Sequence, residues 1–112
     1  MATITDDYMR EMLMKSRNYS IVILKATAKR SEQGAEKIVF EHARRNFSLR
    51  ADGILPIVCP TTDESEVRGI GIFNASPAEV KQIMDGDPGV MAGIFTYDIH
   101  PGKSFPGDAL PR

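Results

Sequence analysis

The order in which strand-like and helix-like apolar periods follow one another constrains this chain most. Tyr19-Ser-Ile-Val-Ile-Leu24 is a β-branched apolar run, the composition of a strand lying centrally in a sheet. Residues 34–49, GAEKIVFEHARRNFSL, change to a helical period. At about 100° per residue, Ala35, Ile38, Val39, His42, Asn46 and Leu49 share one side. Asp52-Gly53 ends that helix, with glycine suited to the left-handed position just past a helix end. Residues 54–59 read as a second strand. Pro56 inside it restricts it to an edge or a bulge, because proline has no N–H for the ladder. Residues 66–73 alternate as a third strand, with Val67, Gly69, Gly71 and Phe73 on one side and Arg68, Ile70 and Ile72 on the other. Its two glycines predict close approach of another backbone or of a ligand. Ser76-Pro-Ala-Glu79 starts a second helix over 77–84, with a capping Ser, Pro at the first helical position and Glu three residues after the cap. Val80, Ile83 and Met84 point inward. Residues 91–99 read as a fourth strand, and 101–112, with three prolines and two glycines, as an extended tail.

The succession β-α-β-β-α-β is the split βαβ of ferredoxin-like folds, an α+β architecture with an antiparallel sheet and two helices on one of its faces. The other face then lacks a cover within one chain. A homodimer that pairs two sheets is therefore expected, with further assembly left open. Residues 5–16 form a short amphipathic helix ahead of the first strand. Thr5 is its candidate N-cap, Asp6 and Asp7 suit the positive end of the helix dipole, and Tyr8, Met9, Met12 and Leu13 make its stripe. About three turns is marginal alone, so the stripe docks either on its own domain or on another subunit. The chain thus divides into an N-terminal helical extension (1–18), a ferredoxin-fold domain (19–101) and a tail (102–112).

With 112 residues the chain suits one domain. Its formal charge of -1 and its short basic clusters give no electrostatic reason to expect nucleic acid as a partner. No stretch approaches the roughly 18 consecutive apolar residues of a membrane span. Two early aspartates and the lack of an apolar h-region argue against a secretory signal and for the cytoplasm. The single cysteine, Cys59, cannot form an internal disulfide and removes a Cys-rich zinc site from consideration. No H-x-x-H or C-x-x-C spacing suggests a metal, and no G-x-G-x-x-G or P-loop suggests a nucleotide, so no cofactor is expected.

His42 is the most informative residue. An imidazole in the middle of an apolar helix face needs a partner for each buried ring nitrogen or bears a desolvation cost. It is either a satisfied core histidine, the commoner case for a lone histidine, or a group facing a pocket. In this topology the first helix begins at the end of the sheet where the fourth strand begins. Asp87, immediately before Pro88, therefore lies at the end from which the helix descends roughly 11 Å to His42. Asp52, at the opposite end of the helix, is the competing acidic partner, while Asp85 reads as a solvated acid at a helix end. A carboxylate on one ring nitrogen fixes the tautomer and stabilises the imidazolium formed on proton transfer, which is general acid-base chemistry. Asn46, one turn beyond His42, and Cys59 are candidate pocket-lining residues. Nothing around Cys59 marks an activated thiol nucleophile, and His100 needs no function at a strand end.

Four features together resemble the YCII-related family of small dimeric α/β-barrel proteins. They are His42 inside the first helix, Asp52-Gly-Ile-Leu-Pro-Ile-Val-Cys-Pro60, the Ser76-Pro-Ala-Glu79 helix start, and Asp87-Pro-Gly-Val-Met-Ala-Gly93. The resemblance spans residues 19–101, and its last motif is the most specific. It implies an enzymatic site in which the family's histidine falls on His42 and its aspartate on Asp87. The family's best-defined activity is dehydrochlorination of a chlorinated aromatic, so the resemblance implies a small cyclic or aromatic substrate and a lyase or isomerase type of step. Where the family commonly has glycine before the proline ending the second strand, this chain has Cys59, which alters that wall of the pocket. The alternative reading is a non-catalytic metabolite-binding or interaction module.

Overall fold

A computed structural model describes all 112 residues. Helix α1 (Asp6–Lys15) precedes β1 (Arg17–Ala26), and a single 3-10 turn (Ala28–Ser31) leads into α2 (Ala35–Ala51). Strands β2 (Ile57–Pro60) and β3 (Val67–Phe73), helices α3 (Pro77–Asp85) and α4 (Pro88–Met91), and β4 (Phe95–Ser104) follow. The sheet runs in the order β2-β3-β1-β4 with every pairing antiparallel, the ferredoxin-like arrangement. The β-branched run of β1 occupies the centre, as its composition requires.

Register divides the sheet into two faces. Val22 and Leu24 of β1, Phe73 of β3 and Phe95 of β4 are buried in one core with Ala35 of α2 and with Val80 and Met84 of α3. Ser20 lies in the same row and is fully buried, so its hydroxyl donates to the carbonyl of Ala75 at 2.8 Å. Ile21, Ile23, Ile70 and Ile72 alternate onto the opposite face, where no helix covers them; Ile70 is exposed. Helix α1 does not cover that face either. Thr5 caps it, accepting from the Tyr8 N–H at 3.1 Å, but none of its residues is buried and Tyr8, Met9 and Leu13 are exposed. Of the two docking places weighed for this stripe, its own domain buries none of it; Met12 alone is half-buried.

Strands β2 and β4 depart most from the sequence pattern. Ile54 and Leu55 do not extend β2, because both of their N–H groups donate to the Leu49 carbonyl, closing the end of α2 at 3.0 and 3.2 Å. Gly53, at φ 76, makes the left-handed step that allows this. The apolar residues before Phe95 are not strand: Pro88–Met91 form the short helix α4, and Ile94 donates to the Gly89 carbonyl. At its other end β4 runs through Pro101 to Ser104, three residues into the expected tail. It can do so because β4 is an edge strand, where the missing proline N–H faces outward. One irregularity interrupts β3. Leu24 pairs with Gly69 and Lys25 with Val67, so Arg68 is the extra residue of a β-bulge.

Candidate functional site

The site begins where α3 ends. Ser76 and Glu79 form a reciprocal capping box that fixes the start of α3, and the helix runs to Asp85. Gly86 leads the chain to Asp87, held extended at φ -71 and ψ 132 as the residue before a proline. Asp87 then caps α4: its Oδ2 accepts from the Gly89 and Val90 N–H groups at 2.9 and 3.1 Å. The tight approach of α4 to the sheet needs glycine at 89, since a Cβ there would lie 2.5 Å from the Phe95 ring.

The second carboxylate oxygen reaches α2. Asp87 Oδ1 lies 2.7 Å from His42 Nδ1, and both side chains are buried, 1% and 9% exposed. With Oδ2 already accepting two backbone donors, Asp87 serves as an acceptor, so Nδ1 of His42 carries the hydrogen. In the neutral ring Nε2 is then the acceptor. Asn46 Nδ2, 3.2 Å away and one turn along the helix, donates to it. The Phe95 ring packs at 4.8 Å between centroids, tilted 49°, and fixes the plane of the imidazole. Arg45 donates to the Ile83 carbonyl at 2.7 Å and stands 3.9 Å from Asp87 Oδ1, so positive charge borders the buried carboxylate.

His42, Asn46 and Phe95 face a cavity of ≈ 310 Å³ between α2 and the sheet. Its lining is mainly apolar, with Val22, Leu24 and Phe73 from the sheet and Val39 and Phe47 from α2. Such a volume is at the small end of the ~300–1,000 Å³ range of small-molecule sites. Cys59 contributes to the rim and is exposed. Gly71 allows the Leu55 side chain to pack closely on β3, since a Cβ there would meet it at 3.0 Å.

Of the two acids weighed as partners of His42, the structure brings Asp87 to it and leaves Asp52 exposed at the C-terminal end of α2. Asp85 is no free loop acid: Lys81 Nζ lies 2.7 Å from one of its oxygens and the Tyr97 hydroxyl donates to the other. The Lys81 hydrogen bond, then that of Tyr97, holds the Asp85 carboxyl below its ordinary range. Sequence reasoning missed the two backbone donors on Asp87 and the Phe95 ring. An Asp-Pro-Gly sequence is itself an N-cap signal and could have revealed the first; the second depends on long-range packing.

No family model matches the sequence, and no curated protein matches it either. The resemblance to the YCII-related family therefore remains one of motifs. Among solved structures, the chain is similar to the 5-chloro-2-hydroxyhydroquinone dehydrochlorinase of Burkholderia phenoliruptrix AC1100 in complex with 2,5-dihydroxybenzoquinone. The TM-score is 0.49 at 18% identity, over 73% of this chain and 90% of that one. At that level nothing about activity passes from that enzyme to this chain.

Proposed function

We propose that this chain is a small-molecule enzyme of the YCII-related type, in which His42 oriented by Asp87 moves a proton on a small cyclic or aromatic substrate. One observation carries the reading: a buried imidazole whose Nδ1 is committed to a carboxylate at 2.7 Å lies against an apolar cavity large enough for one ring. Asp87 fixes the tautomer and its own backbone donors fix Asp87, so Nε2 is the nitrogen available for chemistry. In the free protein Nε2 accepts from Asn46 through a neutral 3.2 Å hydrogen bond. Substrate takes that place. Nε2 then accepts a proton from the substrate and Asp87 stabilises the resulting imidazolium; return of the proton to another position gives an isomerase step, and departure of a leaving group gives a lyase step.

A second reading is favoured by a specific observation. Both ring nitrogens of His42 already have partners, which is what a structural brace between α2 and α4 requires. The cavity would then be a binding pocket without turnover. Screening small cyclic acids, lactones and haloaromatics against the wild type, His42→Ala and Asp87→Asn separates the two. The enzymatic reading expects a reaction that falls by about 10²–10⁴-fold in both variants. Turnover that survives His42→Ala removes the proposed role.

We further infer a homodimer in which the uncovered isoleucine face of the sheet meets its copy, with α1 as an added contact. The free, exposed Cys59 suits the reducing cytoplasm. No helix is long and apolar enough to cross a membrane. A monomer in solution scattering at micromolar concentration would contradict the dimer.

A further inference from the structure

The proton-transfer reading leaves two charged groups of the cavity unused. Arg30, on the 3-10 turn after β1, and Arg68, on β3, both line the cavity beside His42, and both also line a polar groove next to it. They therefore stand at the boundary between the apolar interior and the outside. Alternation alone would send Arg68 to the isoleucine face with Ile70 and Ile72. The bulge interrupts that alternation: Arg68 is the unpaired extra residue between Val67 and Gly69, and it lines the cavity. The bulge is held from the edge strand side, where Thr61 donates its N–H to the Arg68 carbonyl at 3.0 Å and its hydroxyl to the Val67 carbonyl at 2.6 Å.

Neither guanidinium has a partner. Arg10 and Arg44 are paired with acids and Arg45 with a carbonyl, whereas Arg30 and Arg68 make no ion pair and no side-chain hydrogen bond. The adjoining groove also carries Lys37, Glu32 and Glu36, and neither glutamate is paired with either arginine. Two unpaired planar forks at the mouth of a mainly apolar cavity match a ligand with an anionic end and a hydrophobic body.

Resting on the reading of this cavity as the substrate site, we propose that Arg30 and Arg68 form a carboxylate clamp at its mouth and that the substrate is a small cyclic or aromatic carboxylate. The ring lies among Val22, Leu24, Phe73 and Phe95 within reach of His42, and the carboxylate faces outward onto the two guanidiniums. The clamp selects and orients; it takes no part in proton transfer.

Calorimetric titration with benzoate and its neutral analogue benzamide tests this without any turnover. Wild type binds benzoate at least tenfold more tightly than benzamide, and added salt weakens benzoate alone. Arg30→Gln and Arg68→Gln each reduce the preference, and the double variant abolishes it, while Arg68→Lys restores part of it. Equal binding of the two compounds, no binding of benzoate, or a preference untouched by the double substitution overturns the clamp. An arginine-dependent preference together with no reaction in the substrate screen leaves the clamp standing and removes the acid-base reading instead.

Discussion

Asp85 closes α3 and Asp87 opens α4, two residues apart, and their surroundings are opposite. The Asp85 carboxylate is about half exposed and engages Lys81 and Tyr97 at the surface. Asp87 is 1% exposed and spends every contact on His42 and on the backbone of α4. Exposed ion pairs contribute little because water already solvates both ends. A buried pair is different: removing one member leaves the other charged or polar group without solvent or partner. The contrast teaches that proximity in sequence says nothing about which acid matters, and that burial decides.

The widest expected gap between the two acids comes from truncation. Asp87→Ala strips His42 Nδ1 and two N–H groups of their acceptor and should cost about 3–5 kcal/mol of stability, read by urea unfolding. A loss no larger than that of Asp85→Ala would break the comparison. Gly89→Ala leaves every polar contact in place but drives a Cβ into Phe95, so it should cost about 1–3 kcal/mol by overpacking alone. An unchanged melting curve would mean that α4 is free to shift and does not hold Asp87 rigidly.

The smallest effect lies at Asp85 and is best seen against pH. Hydrogen bonding to Lys81 and Tyr97 lowers the folded-state pKa of Asp85 below 3.8, so its contribution is full above that value and is lost as pH falls through the folded pKa. The same contact raises Lys81 above 10.5, so that contribution is full below 10.5 and is lost as pH rises through the folded value. Tyr97, raised above 10.0 first by burial and then by Asp85, adds in the same alkaline direction. Asp85→Asn should therefore cost a little stability near neutral pH, where the Asp85 and Lys81 contributions are both full, and flatten the acid and alkaline limbs of a stability-pH curve by the same small amount. A large loss at pH 7 would show that this surface network does more than the geometry allows.

Much of the fold was legible because its signals are local. The capping box at Ser76, the turn at Gly53 and the polar interruption of the α2 stripe by His42 and Asn46 each lie within a few residues of what they determine. The partner of His42 was legible at the level of topology, since Asp87, immediately before Pro88, sits at the end of the sheet from which α2 descends. Asp52 stayed in contention because sequence spacing cannot tell the two ends of a helix apart in depth. The short helix α4 was hidden by composition: Val90, Met91 and Ile94 look like strand, and only packing of Gly89 against Phe95 makes the turn worthwhile. The bulge at Arg68 was hidden for another reason, because it exists only in the register between β1 and β3. Alternation in the sequence groups Arg68 with Ile70 and Ile72 and gives no sign that it lines the cavity.

The central claim is that His42 is a proton carrier held by Asp87 with Nε2 turned to the cavity. Nitrogen-15 spectra of the imidazole rings test it most directly, with His100→Gln used to assign the two histidines. The expected result is a His42 hydrogen on Nδ1, and an Nε2 resonance that moves when a cavity ligand such as benzoate displaces Asn46. A hydrogen on Nε2 in the free protein, or an Nε2 signal indifferent to a ligand that fills the cavity, would contradict it.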